Sequence, residues 1–207
     1  GDVYKRQGWI RDRAWAGPYS PKKNIYEQAS GAGSAVGWAT YQLHSLNLHL
    51  LRFADVMLLL AEAEINAGSV ENAMALINEI RVRAAAGAQG PEGGDVVVPI
   101  DDPSITWATY DVKPYPSGMS AEDAMKALKM ERRRELGMEG HRFFDLRRWG
   151  EAEEVINDYL EVETTRRNYL TAAYPYTARH KWYPIPTIQI ELSKVEGENR
   201  LVQNEGW

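Results

Sequence analysis

Asp55, Glu62, Glu64, Asp101, Asp102 and Asp111 are the side chains in this sequence that glycoside hydrolysis would draw on. That chemistry needs two carboxyl groups flanking one bond, one of them with a raised pKa. Glu62 and Glu64 stand two apart in a helical stretch and point to different sides, which does not build a shared site. Asp101-Asp102 runs into Pro103 and reads as the start of a turn. His44 and His49 are five apart, not the three or four that bring two ligands onto one helical face, and the chain has no Cys. Gly31-Ala32-Gly33 lacks the strand and the helix start of a phosphate-binding loop. These patterns assign no catalytic residue, no metal ligand and no cofactor.

The aromatic residues are the larger chemical resource. The chain has 7 Trp and 11 Tyr against only 3 Phe, a bias toward rings that combine an apolar face with a polar handle. Trp38, Trp107, Tyr110 and Tyr115 fall in irregular segments, where loops can present flat rings to solvent. A pyranose packs its C–H face on such a ring while its hydroxyls find polar anchors, so these four are the expected ligand contacts. The competing reading is that the rings pin long loops to the helices. Trp149 and Trp182 lie in more regular motif segments and are expected in the core.

Charge is densest from Glu131 to Trp149, where Glu131, Glu135, Glu139 and Asp145 interleave with Arg132, Arg133, Arg134, Arg142, Arg147 and Arg148. The expectation is an ion-pair network in which Arg132, Arg133 or Arg134, with Arg142, meets those acids, since a guanidinium fork matches a carboxylate. An anion or nucleic-acid patch is the alternative, weakened by acids in the same stretch.

These residues need elements to hold them. From Asn47 to about Ala67 apolar residues recur at helical spacing, as in Leu50, Ala54, Met57 and Ala61. Gly68 and Ser69 then read as a stop and a new cap, and Val70, Ala73, Met74, Ile77, Ile80 and Ala84 as the inner face of a second helix. So short a turn implies an antiparallel hairpin over 45–86, with the dimensions of a tetratricopeptide unit. Leu51, Phe53, Met57, Leu60, Ile77 and Leu128 are expected to be buried. A Gly/Pro-rich excursion occupies 87–119, helices opened by Ser120 occupy 120–160 with a joint at Gly150, and an irregular or β-containing tail occupies 161–207. The expected fold class is mainly α, with tetratricopeptide-like hairpins and long irregular loops.

Composition bounds the rest. The 207 residues are 44% hydrophobic and 26% charged, which excludes wholesale disorder, and a net charge of -5 argues against a dedicated nucleic-acid binder. No stretch approaches the roughly 20 apolar residues that cross a bilayer.

Three segments carry a family resemblance. Residues 52–64 run Arg-Phe-Ala-Asp-Val-Met-Leu-Leu-Leu-Ala-Glu-Ala-Glu. Residues 131–149 run Glu-Arg-Arg-Arg-Glu-Leu-Gly-Met-Glu-Gly-His-Arg-Phe-Phe-Asp-Leu-Arg-Arg-Trp. Tyr183-Pro184-Ile185-Pro186 is followed by Gln203-Asn204-Glu205-Gly206-Trp207. In this order they resemble the SusD/RagB family of outer-membrane nutrient-binding lipoproteins, over residues 45–207. Glu205 stands where the family pattern has Pro. The resemblance implies a non-enzymatic, surface-exposed lipoprotein of a Bacteroidetes outer membrane. Such proteins capture an oligosaccharide or other nutrient for a SusC-like TonB-dependent transporter. No sugar-contacting residue carries over by position. Family members are larger, and Gly1-Asp2-Val3-Tyr4-Lys5-Arg6-Gln7 resembles a translated library adaptor. Residues 1–7 are therefore read as an artefactual leader and 8–207 as the C-terminal portion of such a domain, with the anchor expected in the missing N-terminus. A tetratricopeptide-type interaction scaffold and, more remotely, a glycan hydrolase are the competing functions.

Overall fold

The computed structural model describes residue 23 and residues 33–34, 43–44, 49–86 and 111–207. The chain divides into two compact units, one within Pro21–Gly140 and the other within His141–Trp207. Among the described residues six α-helices dominate and the strands are two residues long, so the fold is mainly α.

In the first unit, β1 (Gly33–Ser34) pairs antiparallel with β2 (Leu43–His44), Gly33 opposite His44. Helix α1 (Phe53–Asn66) and helix α2 (Val70–Ala86) are joined by a turn at residues 67–69, closed by Ser69 N–H donating to the Glu64 carbonyl at 2.8 Å. Helix α3 (Ala121–Glu135) starts at Ser120, whose Oγ accepts from Asp123 N–H at 3.1 Å and so satisfies one of the orphan amides of the first turn. The three helices share one core. Met57, Leu58, Ala61 and Ile65 come from α1, Ala73, Met74, Ile77 and Ile80 from α2, and Ala124, Ala127 and Leu128 from α3. Alanine at Ala61, Ala73 and Ala124 lets the backbones approach, and Leu58, Ile77 and Leu128 are the largest side chains fully buried between them.

Two expectations fail here. The first helix begins at Phe53, not near Asn47, because Arg52 takes an extended backbone (φ -123°, ψ 145°) at the cap position. Leu51 is 82% exposed, Phe53 76% and Leu60 49%, so only Met57, Ile77 and Leu128 of the six expected core residues are buried. Helix α1 is apolar on two faces. Helices α2 and α3 cover the face of Met57, Leu58, Ala61 and Ile65, whereas Phe53, Val56 and Leu60, three and four residues apart, form a second face that stays exposed.

Ions lock the helices, and the closest bonds bring in partners from outside the expected block. Arg132 on α3 donates to Asp55 on α1 at 2.9 Å, and Arg81 on α2 donates to Glu131 on α3 at 2.9 Å; all four groups are buried. The acids of the Arg-rich block are thus answered mainly by the preceding helices. Within the block Arg134 approaches Glu131 at 3.8 Å and Arg148 pairs with Asp145 at 3.0 Å.

In the second unit, α4 (His141–Trp149) and α5 (Ala152–Glu163) are separated by Gly150 at φ +76°, a left-handed joint that ends the first helix. Helix α5 runs three residues past the expected limit at Leu160. Beyond it come two 3₁₀ turns, helix α6 (Thr187–Leu192), and the hairpin of β3 (Lys194–Val195) with β4 (Glu198–Asn199), whose two-residue loop has φ +54° and +87°. The tail is fastened by its own motif. Gln203 pairs with both backbone groups of Ile185 at 2.8 and 2.9 Å, Asn204 donates to the Tyr183 carbonyl at 2.6 Å, and Trp207 Nε1 donates to the carbonyls of Arg179 and Trp182 at 3.0 Å. A Cβ on Gly206 would lie 2.7 Å from Arg179 Cβ, so this position admits only glycine. Trp182, expected in the core, is 57% exposed because only its backbone is used by this clasp, while Trp149 is half-buried.

Leu128→Ala should cost about 2–5 kcal/mol in chemical denaturation, and Leu60→Ala should stay within about 0.5 kcal/mol of the parent. Asp55→Ala, which leaves Arg132 buried without its carboxylate, should cost about 3–5 kcal/mol by the same measurement.

Candidate functional site

A concavity of about 510 Å³ lies in the first unit, between the start of α1 and the last turns of α2. Its apolar lining combines buried Met57 and Ile80 with half-buried Ala54, and exposed Leu51 and Phe53 add an open aliphatic and aromatic surface. His49, Arg52, Glu79 and Arg83 supply the polar groups. Glu79 and Arg83 reach the same rim because they stand four apart on α2. The Glu79 carboxylate has no partner among the described residues and is an open acceptor for a donor such as a hydroxyl.

The two arginines of the wall are held from beneath. Arg52 donates from Nη1 to Glu135 at 2.8 Å and from Nε to Glu139 at 2.9 Å, and from Nη2 to the Glu135 carbonyl at 2.9 Å. Arg83 donates to the other Glu135 oxygen at 2.6 Å. Lys23 donates to the carbonyls of Glu135 and Gly137 at 2.9 and 2.8 Å and to the Glu139 carboxylate. Three cations therefore gather at the C-terminal end of α3, where the last carbonyls lack helical partners and the helix dipole is negative. Burial works to raise the Glu139 pKa, but hydrogen bonds from Arg52 and Lys23 outweigh it and hold the carboxyl below its usual range. The Arg52 guanidinium is raised correspondingly, chiefly by its bond to Glu139. A carboxyl held ionised in this way is an acceptor and an anchor, the opposite of the proton donor that glycoside cleavage requires.

Of the four expected ring contacts, Trp38, Trp107 and Tyr110 lie outside the described residues. Tyr115 is half-buried against the three-helix core. Its backbone is bracketed by Asn78, which donates to its carbonyl at 3.0 Å and accepts its N–H at 2.7 Å. The Arg81 guanidinium covers one ring face at 4.5 Å, and Arg134 Nη1 lies 3.4 Å from its hydroxyl. Glu71, Asn78 and Arg81 share a face of α2 and fasten residues 113–118 along it, Glu71 accepting Gly118 N–H at 2.8 Å and Arg81 donating to the Lys113 carbonyl at 2.6 Å. Of the carboxylates weighed for hydrolysis, Asp55 is committed to Arg132, Asp111 pairs with Lys113 at 2.9 Å, and Asp101 and Asp102 lie outside the described residues. Among the described residues no group of three His, Asp or Glu side chains is placed to hold a metal ion.

Glu79 and Arg83 were not singled out from the sequence, Phe53 was expected in the core, and His49 was weighed only as a metal ligand. The available signal was the pair Glu79 and Arg83, four apart on either side of the inward Ile80 near the end of α2.

Comparison with known proteins follows the same motifs. A family model described as the SusD family matches residues 10–207. A SusD-like protein of Formosa agariphila is 31% identical over 161 residues, which is 78% of this chain and 25% of that protein. The match thus spans about a quarter of the length of that curated relative.

Because the folded pKa of Glu139 is depressed, the clasp contributes stability above the ordinary value of 4.5 and loses it as pH falls through the lower folded value. Glu139→Gln should therefore lower the melting temperature at neutral pH and flatten its fall on acidification, as measured by thermal scans across that range.

Proposed function

The chain belongs to the SusD family, and from that premise we propose that it captures an oligosaccharide or similar nutrient without catalysis and passes it to a SusC-like TonB-dependent transporter. The family match over residues 10–207 carries this reading. The proposed place of action is the outer face of the outer membrane, with attachment through a lipid anchor. No helix among the described residues is long and apolar enough to cross a membrane.

The ligand contacts we propose are Trp38, Trp107, Tyr110 and Tyr115, joined by the concavity at Phe53. Support for the second part is chemical. A volume of about 510 Å³ falls within the span of roughly 300–1,000 Å³ usual for ligand pockets, and a mostly apolar lining with a few polar groups suits a sugar. Phe53 offers an exposed ring, while Glu79 and Arg83 supply an acceptor and donors for hydroxyls. Tyr115 contributes through position more than area, because Arg81 already covers one of its faces.

One observation favours a second reading, a tetratricopeptide-type interaction scaffold. The apolar face of Phe53, Val56 and Leu60 on α1 is exposed along two turns, and stacked helix pairs bind partners through such faces.

Immobilised glycans separate the readings. Capture should retain the protein on a glycan column with no release of reducing ends. Phe53→Ala and Trp107→Ala should each weaken retention by about 1–3 kcal/mol, or roughly 5- to 150-fold, with the melting temperature nearly unchanged. Release of reducing ends would replace the proposal with hydrolysis, and indifference to every glycan tested would favour the scaffold.

A further inference from the structure

In the described part of the first unit, cations near the core are answered by carboxylates: Arg52, Arg81, Arg83 and Arg132 all have acid partners within 3 Å. In the second unit Arg148, Arg166 and Arg167 are answered as well. Arg147, Arg179 and Lys181 are not: among the described residues none of the three has a carboxylate partner. The contrast is local, because the whole chain carries a net charge of -5.

These three cations converge on one aromatic cluster. Arg147 Nη2 donates to the Lys181 carbonyl, and its guanidinium lies 5.7 Å from the Phe143 ring. Its Nε is buried with no hydrogen-bond partner. The Arg179 guanidinium lies 4.9 Å over the Trp207 ring, and Lys181 Nζ lies 5.7 Å from the Trp182 ring. Ring contacts link the members: Phe143 to Tyr176 at 6.1 Å, Tyr176 to His180 at 5.3 Å and His180 to Trp207 at 6.0 Å. The frame is rigid, since Trp207 is fixed by two hydrogen bonds of 3.0 Å and by the close approach of Gly206 to Arg179. Trp182 and Trp207 nevertheless keep much of their surface open.

A guanidinium lying over an indole keeps its N–H edges in its own plane, free to fork onto a carboxylate or sulfate. An ammonium beside a second exposed indole adds a point charge a short distance along the chain. Rings for C–H faces and fixed cations for anionic substituents together describe an acidic saccharide. We propose that the Arg147, Arg179 and Lys181 cluster, with Trp182 and Trp207, is a binding subsite for the anionic groups of an acidic saccharide, whether uronate carboxylates or sulfate esters. This subsite rests on the reading of the chain as a saccharide-capturing protein and names the class of ligand. Asp145, on the same helix as Arg147, pairs with Arg148 at 3.0 Å.

The test is calorimetry on the full chain with three probes of matched length: oligogalacturonate, sulfated dextran and unmodified dextran. At low salt at least one acidic probe should bind about tenfold or more tightly than dextran, and the preference should shrink as salt rises. Comparison of the two acidic probes identifies carboxylate or sulfate as the recognised group. Arg179→Gln combined with Lys181→Gln should abolish the preference for the acidic probes over dextran. Should that double variant not fold, Lys181→Glu alone, at an exposed side chain, should reduce affinity for the acidic probes. Equal binding of acidic and neutral probes, or a preference that survives these substitutions, would overturn the subsite. Binding of dextran alone removes the subsite and leaves saccharide capture standing; binding of none of the three removes both.

Discussion

Glu131 and Arg132 are neighbours on α3, so their side chains leave the helix about 100° apart. Each meets an opposite charge on a different helix, Glu131 with Arg81 on α2 and Arg132 with Asp55 on α1. Both pairs are buried, and buried pairs recover in Coulomb attraction little more than they lose in desolvation. What they contribute is register. A shift of α3 by one residue against its two neighbours would strand four charges in the core, and hydrophobic packing around Leu58, Ile77 and Leu128 alone would not penalise that slip as heavily. The concavity inherits this precision, because Met57 and Ile80 in its lining come from the same helices.

A second constraint governs the irregular segments. A backbone that leaves regular structure needs partners for its N–H and C=O groups, and this chain supplies them repeatedly with a single amide side chain. Asn78 takes both backbone groups of Tyr115, Asn157 both of Tyr176, and Gln203 both of Ile185. Each imitates one rung of a β-ladder without a strand. The C-terminal end of α3 is treated in the same spirit with cations, where Lys23 and Arg52 take up its free carbonyls. Loops held this way stay near the helices while their side chains remain available.

Periodicity and caps in the sequence located most of the helical frame. Ser120, Gly150 and the short turn near Gly68 stand at element boundaries as expected, because caps and left-handed joints depend on one or two residues. The start of α1 differs from the expectation, and with it the burial of Leu51 and Phe53, because apolar spacing does not reveal that Arg52 is extended at the cap position and bonds Glu135 and Glu139 at the end of α3. The alternating charges from 131 to 149 announced an ion network, yet its partners, Asp55, Arg81, Arg52 and Arg83, lie 50 to 83 residues away in sequence for the closest bonds. Long-range pairing has no local signal. The same holds for Tyr115, whose dependence on Asn78 and Arg81 is invisible in the chain order.

The distribution of charge separates what the molecule uses to stand from what it can offer. In the three-helix unit Arg52, Arg81, Arg83 and Arg132 are tied to acids, and their field is cancelled within a few ångströms. At the C-terminal motif the polar groups that hold the chain are neutral: the Gln203 and Asn204 amides, the Trp207 indole N–H and the backbone carbonyls of Arg179 and Trp182. Neutral fastening leaves Arg179 and Lys181 with no structural acid to satisfy, so their cost to the fold is small and their charge remains outward. A motif built this way can be rigid in its backbone and unsaturated in its chemistry, the combination a subsite for an acidic ligand requires.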